Sequence, residues 1–483
     1  MTDKMHLRML ATGIPGLDTI LGGGLPELSF NIIGGAPGSG KTTFAQQIMF
    51  ALASPERPAL FFTAMGEPPV KMLRYQQQFG FFDIDKVGGA VTFINLAAQV
   101  EQGDYDGVLD QILEAVRTHA PAVIFIDSFR SFVQGALGAH QAVAAPQSFV
   151  QKLVAHMTSW NATSFLIGEY LANEADQNPI FTVADGIIWL TQHMQRNAMT
   201  RKMQVIKLRG QRQRPGLHTF RIDRAGLEVF PRVIPMTREG DTRPPVSKVR
   251  LSTGVPVLDD MLGGGIPCGY SVLLVGPTGS GKTIISAEFL AAGAQNGETG
   301  VVALFERSPN QIMNEKLEAL VDAGQVTVVP VRSLDLSIDE MLHALLVTID
   351  KHKATRLVLD SLTGFEMALA PEDREDFNEA LYRLAAVLNA RGVTVLMTSE
   401  MEDRFQDLRF SPYGSAVLVD VIIMQRYIEV QSELRTLISV VKVRGSKHSR
   451  QLRSFEITDE GIVIGSTAAP YDGVVHGNPQ PLV

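Results

Sequence analysis

At 483 residues, 45% hydrophobic and 19% charged, the chain has the composition of a folded enzyme and not of a disordered or fibrous protein. Its apolar runs are too short to cross a bilayer and its start, MTDKMHLRML, carries no signal-peptide pattern, so a cytoplasmic protein is expected. A formal charge of −8 argues against a chain that coats nucleic acid; the single Cys268 excludes an internal disulfide or a cysteine-rich zinc ribbon, and ten histidines without HExxH spacing argue against a transition-metal site.

In chain order, the first feature is TGIPGLDTILGGGLP, Thr12 to Pro26. An apolar run, Phe30 to Ile33, reads as a strand and leads into GAPGSGKT, Gly35 to Thr42, with an amphipathic helix pattern over Thr43 to Ala53. Strand, Gly-rich loop, Lys-Thr and helix form the context of a phosphate-binding loop of the Walker A type. Its glycines let backbone N–H groups curl around a β-phosphate at the positive end of the helix dipole. We take Gly35, Gly38, Ser39, Gly40, Lys41, Thr42 and Thr43 as nucleotide-binding, with Lys41 reaching the β- and γ-phosphates and Thr42 left for Mg²⁺. The alternative is a degenerate loop that binds nucleotide without hydrolysing it.

The same order of features returns. TGVPVLDDMLGGGIP, Thr253 to Pro267, precedes a strand pattern, Val272 to Val275, the loop GPTGSGKT, Gly276 to Thr283, and a helix pattern, Ile284 to Ala294. Lys282 stands as far from Lys41 as Gly254 does from Gly13, so block and loop share one register. The second set is Gly276, Gly279, Ser280, Gly281, Lys282 and Thr283. Length alone predicts about three domains, but the repeat sets two: residues 9–232 and 248–464, a polar proline-bearing linker over 233–247, and a mostly disordered tail over 465–483. The expected fold class is α/β, two tandem RecA-like P-loop NTPase domains with mostly parallel central sheets flanked by helices.

Downstream of each loop an apolar run ends in an acid, IFIDS with Asp127 and LVLDS with Asp360, where a strand-end aspartate holds Mg²⁺ through its water shell. The metal set is therefore Thr42 with Asp127 and Thr283 with Asp360. Glu67, in FFTAMGEPP, and Glu306, in VALFERSP, follow the strand that comes after each loop's helix and are the candidates that orient the attacking water. Glu169 and Glu400 close later strands, either to sense the γ-phosphate or only to end the strand. The late segments IKLRG and VKVRG complete the repeat, and RGQRQR, Arg209 to Arg214, is the most basic stretch.

The paired TG-P-LD blocks, both loops, the IDS and LDS strands and the KLRG and KVRG motifs together resemble the KaiC family, circadian-clock ATPases and autokinases with two RecA-like domains. The likeness runs from about Thr12 to Ile464. It implies an ATP- and Mg²⁺-dependent hexamer of two stacked rings with nucleotide between subunits and a protein partner outside the ring. Lys207, Arg209, Lys442 and Arg444 would then act on the neighbour's phosphates, and His448 matches the family's nucleotide-contacting histidine, where the first copy has Gln213. Two departures stand out. The family's adjacent glutamates read Gly66-Glu67 and Glu306-Arg307 here, and its Ser-Thr phosphoacceptors fall on Ala416 and Val417, neither with a hydroxyl, with Ser415 one residue earlier. The competing readings are a DNA-handling RecA-like recombinase or helicase, which the acidic charge and duplication count against, and a scaffold that assembles on ATP without hydrolysing it.

Overall fold

The computed structural model describes residues 8–64, 69–127, 144–170, 180–195, 198–233, 249–305, 314–329, 337–369, 377–401, 418–430, 432–459, 461–467, 471–472 and 480–481. The chain divides into two compact units, Met1–Arg232 and Val233–Val483.

The first unit is organised by a nine-stranded sheet of β1 (Phe30–Gly35), β2 (Ala59–Thr63), β3 (Val91–Asn95), β4 (Val123–Asp127), β5 (Thr163–Glu169), β6 (Gly186–Gln195), β7 (Ala198–Leu208), β8 (His218–Asp223) and β9 (Gly226–Phe230). Across it the order is β9-β8-β7-β6-β1-β5-β4-β2-β3. Pairings from β6 through β3 are parallel, and the β6-β7-β8-β9 extension is antiparallel. β1 is buried at every position, as a central parallel strand covered on both faces must be. Its alternate residues serve two cores: Ile33 packs with Phe44, Phe61 and Phe125 on one face, Ile32 with Leu60, Ile126 and Leu166 on the other.

The second unit repeats this plan with β10 (Ser271–Gly276), β11 (Gly300–Leu304), β12 (Val326–Val329), β13 (Arg356–Asp360), β14 (Thr394–Glu400), β15 (Val421–Val430), β16 (Glu433–Val443), β17 (Arg453–Thr458) and β18 (Gly461–Ile464). Read from its antiparallel edge, the order is β18-β17-β16-β15-β10-β14-β13-β11-β12, each label nine above its counterpart. The duplicated motifs therefore carry a duplicated topology, and the tandem RecA-like α/β class follows from it. Beyond the second sheet, Tyr471–Asp472 pairs with Gln480–Pro481. Most of the expected linker, 234–247, lies outside the described residues.

The repeated TG-P-LD block has a structural reason. The Asp18 carboxylate accepts from both the backbone N–H and the hydroxyl of Thr12, and Asp259 repeats this with Thr253 and adds the Ser252 hydroxyl. The glycines that follow let other segments approach closely. A Cβ on Gly22 would stand 2.3 Å from the Arg212 carbonyl oxygen, and one on Gly263 2.7 Å from that of Lys447.

Candidate functional site

Each phosphate loop joins a central strand to a helix that starts two residues before the sequence pattern indicates. The helices run Lys41–Leu52 and Lys282–Gln295, so the Lys-Thr pair lies in the first turn. Gly40 and Gly281 precede them at φ 97 and 86°, a left-handed conformation that stops the helix from extending further back. The loop thus faces the helix start, where unpaired N–H groups and the dipole favour an anion.

The C-terminal ends of the parallel strands bring the chemistry together, the edge at which open α/β sheets take ligands. Gly35 lies beside Glu169, and Asp127 lies between Thr63 and Ile167. Gly38, Gly40, Lys41, Thr42, Thr43, Asp127, Glu169 and Ile222 line one cleft of about 310 Å³. Thr42 Oγ1 donates to Asp127 Oδ2 at 2.7 Å, and in the second unit Thr283 Oγ1 donates to Asp360 Oδ2 at 2.8 Å. Lys41 Nζ donates to the Ala36 carbonyl, and Lys282 Nζ to those of Gly276 and Pro277, so each ammonium is folded over its own loop.

Burial dominates the electrostatics of the first site. It pushes the Asp127 carboxyl up to about 6, against the Thr42 hydrogen bond and the Lys41 charge, with Glu169 adding to the rise. Burial likewise holds the Lys41 ammonium below the usual lysine range, although Glu169 and Asp127 oppose it. A cation beside Asp127 and phosphate oxygens beside Lys41 would each offset that desolvation. The donor set, a threonine hydroxyl hydrogen-bonded to a strand-end carboxylate below a lysine and a helix N-terminus, fits a nucleoside triphosphate with Mg²⁺. Among the described residues no cluster of three or more His, Cys, Asp or Glu could hold a metal by protein side chains alone.

The two sites are braced differently. Ser280 Oγ donates to Gln425 Oε1 at 2.9 Å, Thr278 Oγ1 to Glu400 Oε1 at 2.7 Å, and Thr398 Oγ1 to Asp360 Oδ1. From the next strand over, Tyr427 OH donates to the Thr278 carbonyl, and Gln192 Nε2 makes the equivalent bond to Pro37. None of these supports was visible in the sequence, because each joins residues far apart in the chain.

Lys207 and Arg209 stand at the opposite edge of the sheet from their own loop. Lys207 pairs with Ile187 at the start of β6, whereas the loop leaves β1 beside Leu190. Lys207 Nζ donates to the carbonyls of Phe181 and Thr182, and Arg209 forms an ion pair with Asp185 at 3.3 Å. Lys442 donates to the Val419 carbonyl at 2.7 Å, and Arg444 pairs with Asp420. Desolvation, then the adjacent arginine, lowers both lysines from the ordinary range, with Asp185 or Asp420 in opposition. His448 is half-buried, its Nδ1 enclosed without a hydrogen-bond partner among the described residues. Gln213 Nε2 donates to the Val205 carbonyl. Cys268 is partly exposed, with Sγ against the Gly392 carbonyl. Glu67, Glu306, Ser415, Ala416 and Val417 lie outside the described residues.

Two nine-stranded sheets of one topology, each with a lysine-threonine phosphate loop facing a strand-end aspartate, define a tandem RecA-like P-loop ATPase architecture. The family description "ATPase: KaiC" matches residues 10–234 and 251–469. The chain is 24% identical over 498 residues to the circadian clock oscillator protein KaiC of Parasynechococcus marenigrum (strain WH8102), covering 99% of this chain and 94% of that protein. It is 27% identical over 495 residues to the circadian clock protein KaiC3 of Synechocystis sp. (strain ATCC 27184 / PCC 6803 / Kazusa), covering 98% and 95%. KaiC of Thermostichus vulcanus is 24% identical over 495 residues, covering 98% and 92%. The chain belongs to the KaiC family.

Proposed function

We propose that this chain binds ATP at both loops and hydrolyses it within a homohexamer of two stacked rings, passing nucleotide state to a protein partner in the cytoplasm. The observation that carries this reading is the pair of hydrogen bonds Thr42–Asp127 and Thr283–Asp360, the same metal-side geometry formed twice. The Mg²⁺ held on the side of Thr42 and Asp127, or of Thr283 and Asp360, would supply positive charge that offsets the charge developing on the transferred group. Loop backbone N–H groups, Lys41 and Lys282 hold the phosphates, Thr42 and Thr283 with Asp127 and Asp360 hold the metal's side, and Glu67 and Glu306 orient the attacking water. Water attacks the γ-phosphorus, its bond to the β–γ bridging oxygen breaks, and ADP and phosphate leave.

Lys207, Arg209, Lys442, Arg444 and His448 supply charge and contacts to a neighbouring subunit's nucleotide. The place of the two lysines and two arginines at the edge away from their own loop supports a role in trans, as in head-to-tail rings. Serine/threonine autokinase activity rests on family membership alone, and Ala416 and Val417 argue against the family's two-site form of it. No helix among the described residues is long and apolar enough to cross a membrane.

Phosphate release from Mg-ATP, compared between the wild type and Lys41→Ala/Lys282→Ala, tests the reading. Steady release that the double variant abolishes is expected, with light scattering giving a hexamer in ATP. Binding without release would leave an assembly scaffold, and stimulation by DNA would favour a nucleic-acid motor.

A further inference from the structure

The duplicated topology makes the two metal-side aspartates directly comparable. In both units the strand beside the loop strand ends in a glutamate level with the loop's first glycine, Gly35 with Glu169 and Gly276 with Glu400. Two residues earlier stand Ile167 in β5 and Thr398 in β14. Ile167 is the cross-strand neighbour of Asp127. Leu359 pairs with Met397, which puts Thr398 beside Asp360. Thr398 is fully buried, and its hydroxyl donates to Asp360 Oδ1 while Thr283 donates to Oδ2. Both oxygens of that carboxylate are held. At Asp127 the Thr42 hydroxyl holds Oδ2, and no side-chain hydrogen bond to Oδ1 occurs among the described residues.

We infer that Thr398 is a positioning residue for the second nucleotide site, fixing the Asp360 carboxylate in the orientation that receives a hydrated divalent cation, a support that Ile167 cannot give Asp127. This rests on the reading of both loops as Mg-nucleotide sites. A carboxylate free to rotate about its last torsion must be ordered when the cation arrives, whereas one clamped at both oxygens is already aligned. The second site therefore takes up Mg²⁺ with nucleotide at lower free Mg²⁺ than the first. Because the Thr398 hydroxyl is spent on Asp360, the metal-side carboxylate, its effect is confined to the metal-dependent part of binding.

The test uses the full-length chain with Lys41→Ala, so that only the second site reports, and a fluorescent ATP analogue titrated with MgCl₂. Thr398→Val, which keeps the shape and removes the hydroxyl, is expected to raise the Mg²⁺ midpoint about tenfold, the scale of one lost hydrogen bond to a charged group. Affinity for the analogue in EDTA should stay as in the parent, and Thr398→Ser should restore the parent midpoint. An unchanged midpoint in Thr398→Val overturns the inference, as does a loss of EDTA-state affinity in step with it, which marks a merely structural threonine. Should Thr398→Val fail to fold, Ile167→Thr in a Lys282→Ala chain decides: a lowered midpoint at the first site supports the inference and an unchanged one overturns it. A parent with no Mg²⁺-dependent uptake overturns the nucleotide-site reading itself.

Discussion

Ser280 Oγ donates to Gln425 Oε1 at 2.9 Å beneath the second phosphate loop, whereas the matching Ser39 Oγ under the first is buried without a partner among the described residues. The difference lies in one position of the neighbouring strand, Gln425 in β15 against Leu190 in β6. Ser280→Ala should therefore cost about 1–3 kcal/mol, since it strands a buried amide oxygen. Ser39→Ala should fall within about 0.5 kcal/mol of neutral, because nothing loses its partner. Urea unfolding read by hydrogen exchange in each unit checks the pair, and equal costs would contradict it.

Much of the architecture was legible because its chemistry is contiguous. A phosphate loop must present glycines, lysine and threonine in one short run, and a buried strand ending in aspartate shows as an apolar run before an acid. The helix starts were read two residues late, at Thr43 and Ile284, because Lys-Thr looks polar although the helix already begins at Lys41 and Lys282, directly after the left-handed Gly40 and Gly281. The supports were not legible. Thr398 meets Asp360 across 38 residues, Ser280 meets Gln425 across 145, and Arg356 meets Glu298 across 58. Such pairs are set by strand order, which no local pattern encodes.

Arg356, whose side chain is 1% exposed, illustrates the cost of such a pair. Its Nε and Nη2 donate to Glu298 at 2.9 and 3.2 Å, its Nη1 to the carbonyls of Ser252 and Phe289, and its guanidinium lies 4.6 Å from the Phe289 ring centre. Arg356→Ala leaves Glu298 and two carbonyls without their cation and should cost about 3–5 kcal/mol. Arg356→Met with Glu298→Gln removes both charges and should cost much less. A double variant as unstable as the single one would refute this reasoning.

His218 makes the first unit sensitive to acid. Its Nδ1 accepts from the Arg232 N–H at 2.9 Å and its Nε2 lies 3.2 Å from the Arg214 carbonyl, an arrangement that suits the neutral ring. Burial lowers its pKa from the ordinary value, and the Arg214 and Arg232 charges lower it further, against the Arg214 carbonyl. A depressed histidine contributes stability that is present above its unfolded value, about 6.5, and is lost as pH falls through the folded one. Melting of the first unit should therefore start to drop as pH falls through about 6.5, the unfolded value, and His218→Gln should be less stable above that pH but flatter below it. Parallel pH profiles would remove His218 as the cause.

Turnover should depend on the two glutamates that follow β2 and β11. Glu67→Gln with Glu306→Gln should retain nucleotide binding and lose about 10² to 10⁴ in rate, the usual effect of removing a group that takes up or orients the proton of the nucleophile. Single variants assign the share of each site. Unchanged release of phosphate in the double variant would move the catalytic carboxylates elsewhere, with Glu169, on the wall of the first cleft, the next to test.

The position of Lys207 makes the strongest claim about assembly. It lies beside Ile187, three strand residues from the level at which the loop leaves β1, about 10 Å along the sheet, and its ammonium is held by the carbonyls of Phe181 and Thr182. If it serves a nucleotide, that nucleotide sits on another copy. In a Lys282→Ala background, which silences the second site, Lys41→Ala chains and Lys207→Ala/Arg209→Ala chains should each be nearly inactive alone. Mixed one to one and reassembled in ATP, they form head-to-tail interfaces of which roughly a quarter combine an intact loop with intact trans cations. Activity near that fraction of the Lys282→Ala parent is the expected result, rising from zero only after reassembly. No recovery in confirmed mixed rings, or full activity in the Lys207→Ala/Arg209→Ala chain alone, would place these cations outside the catalytic interface.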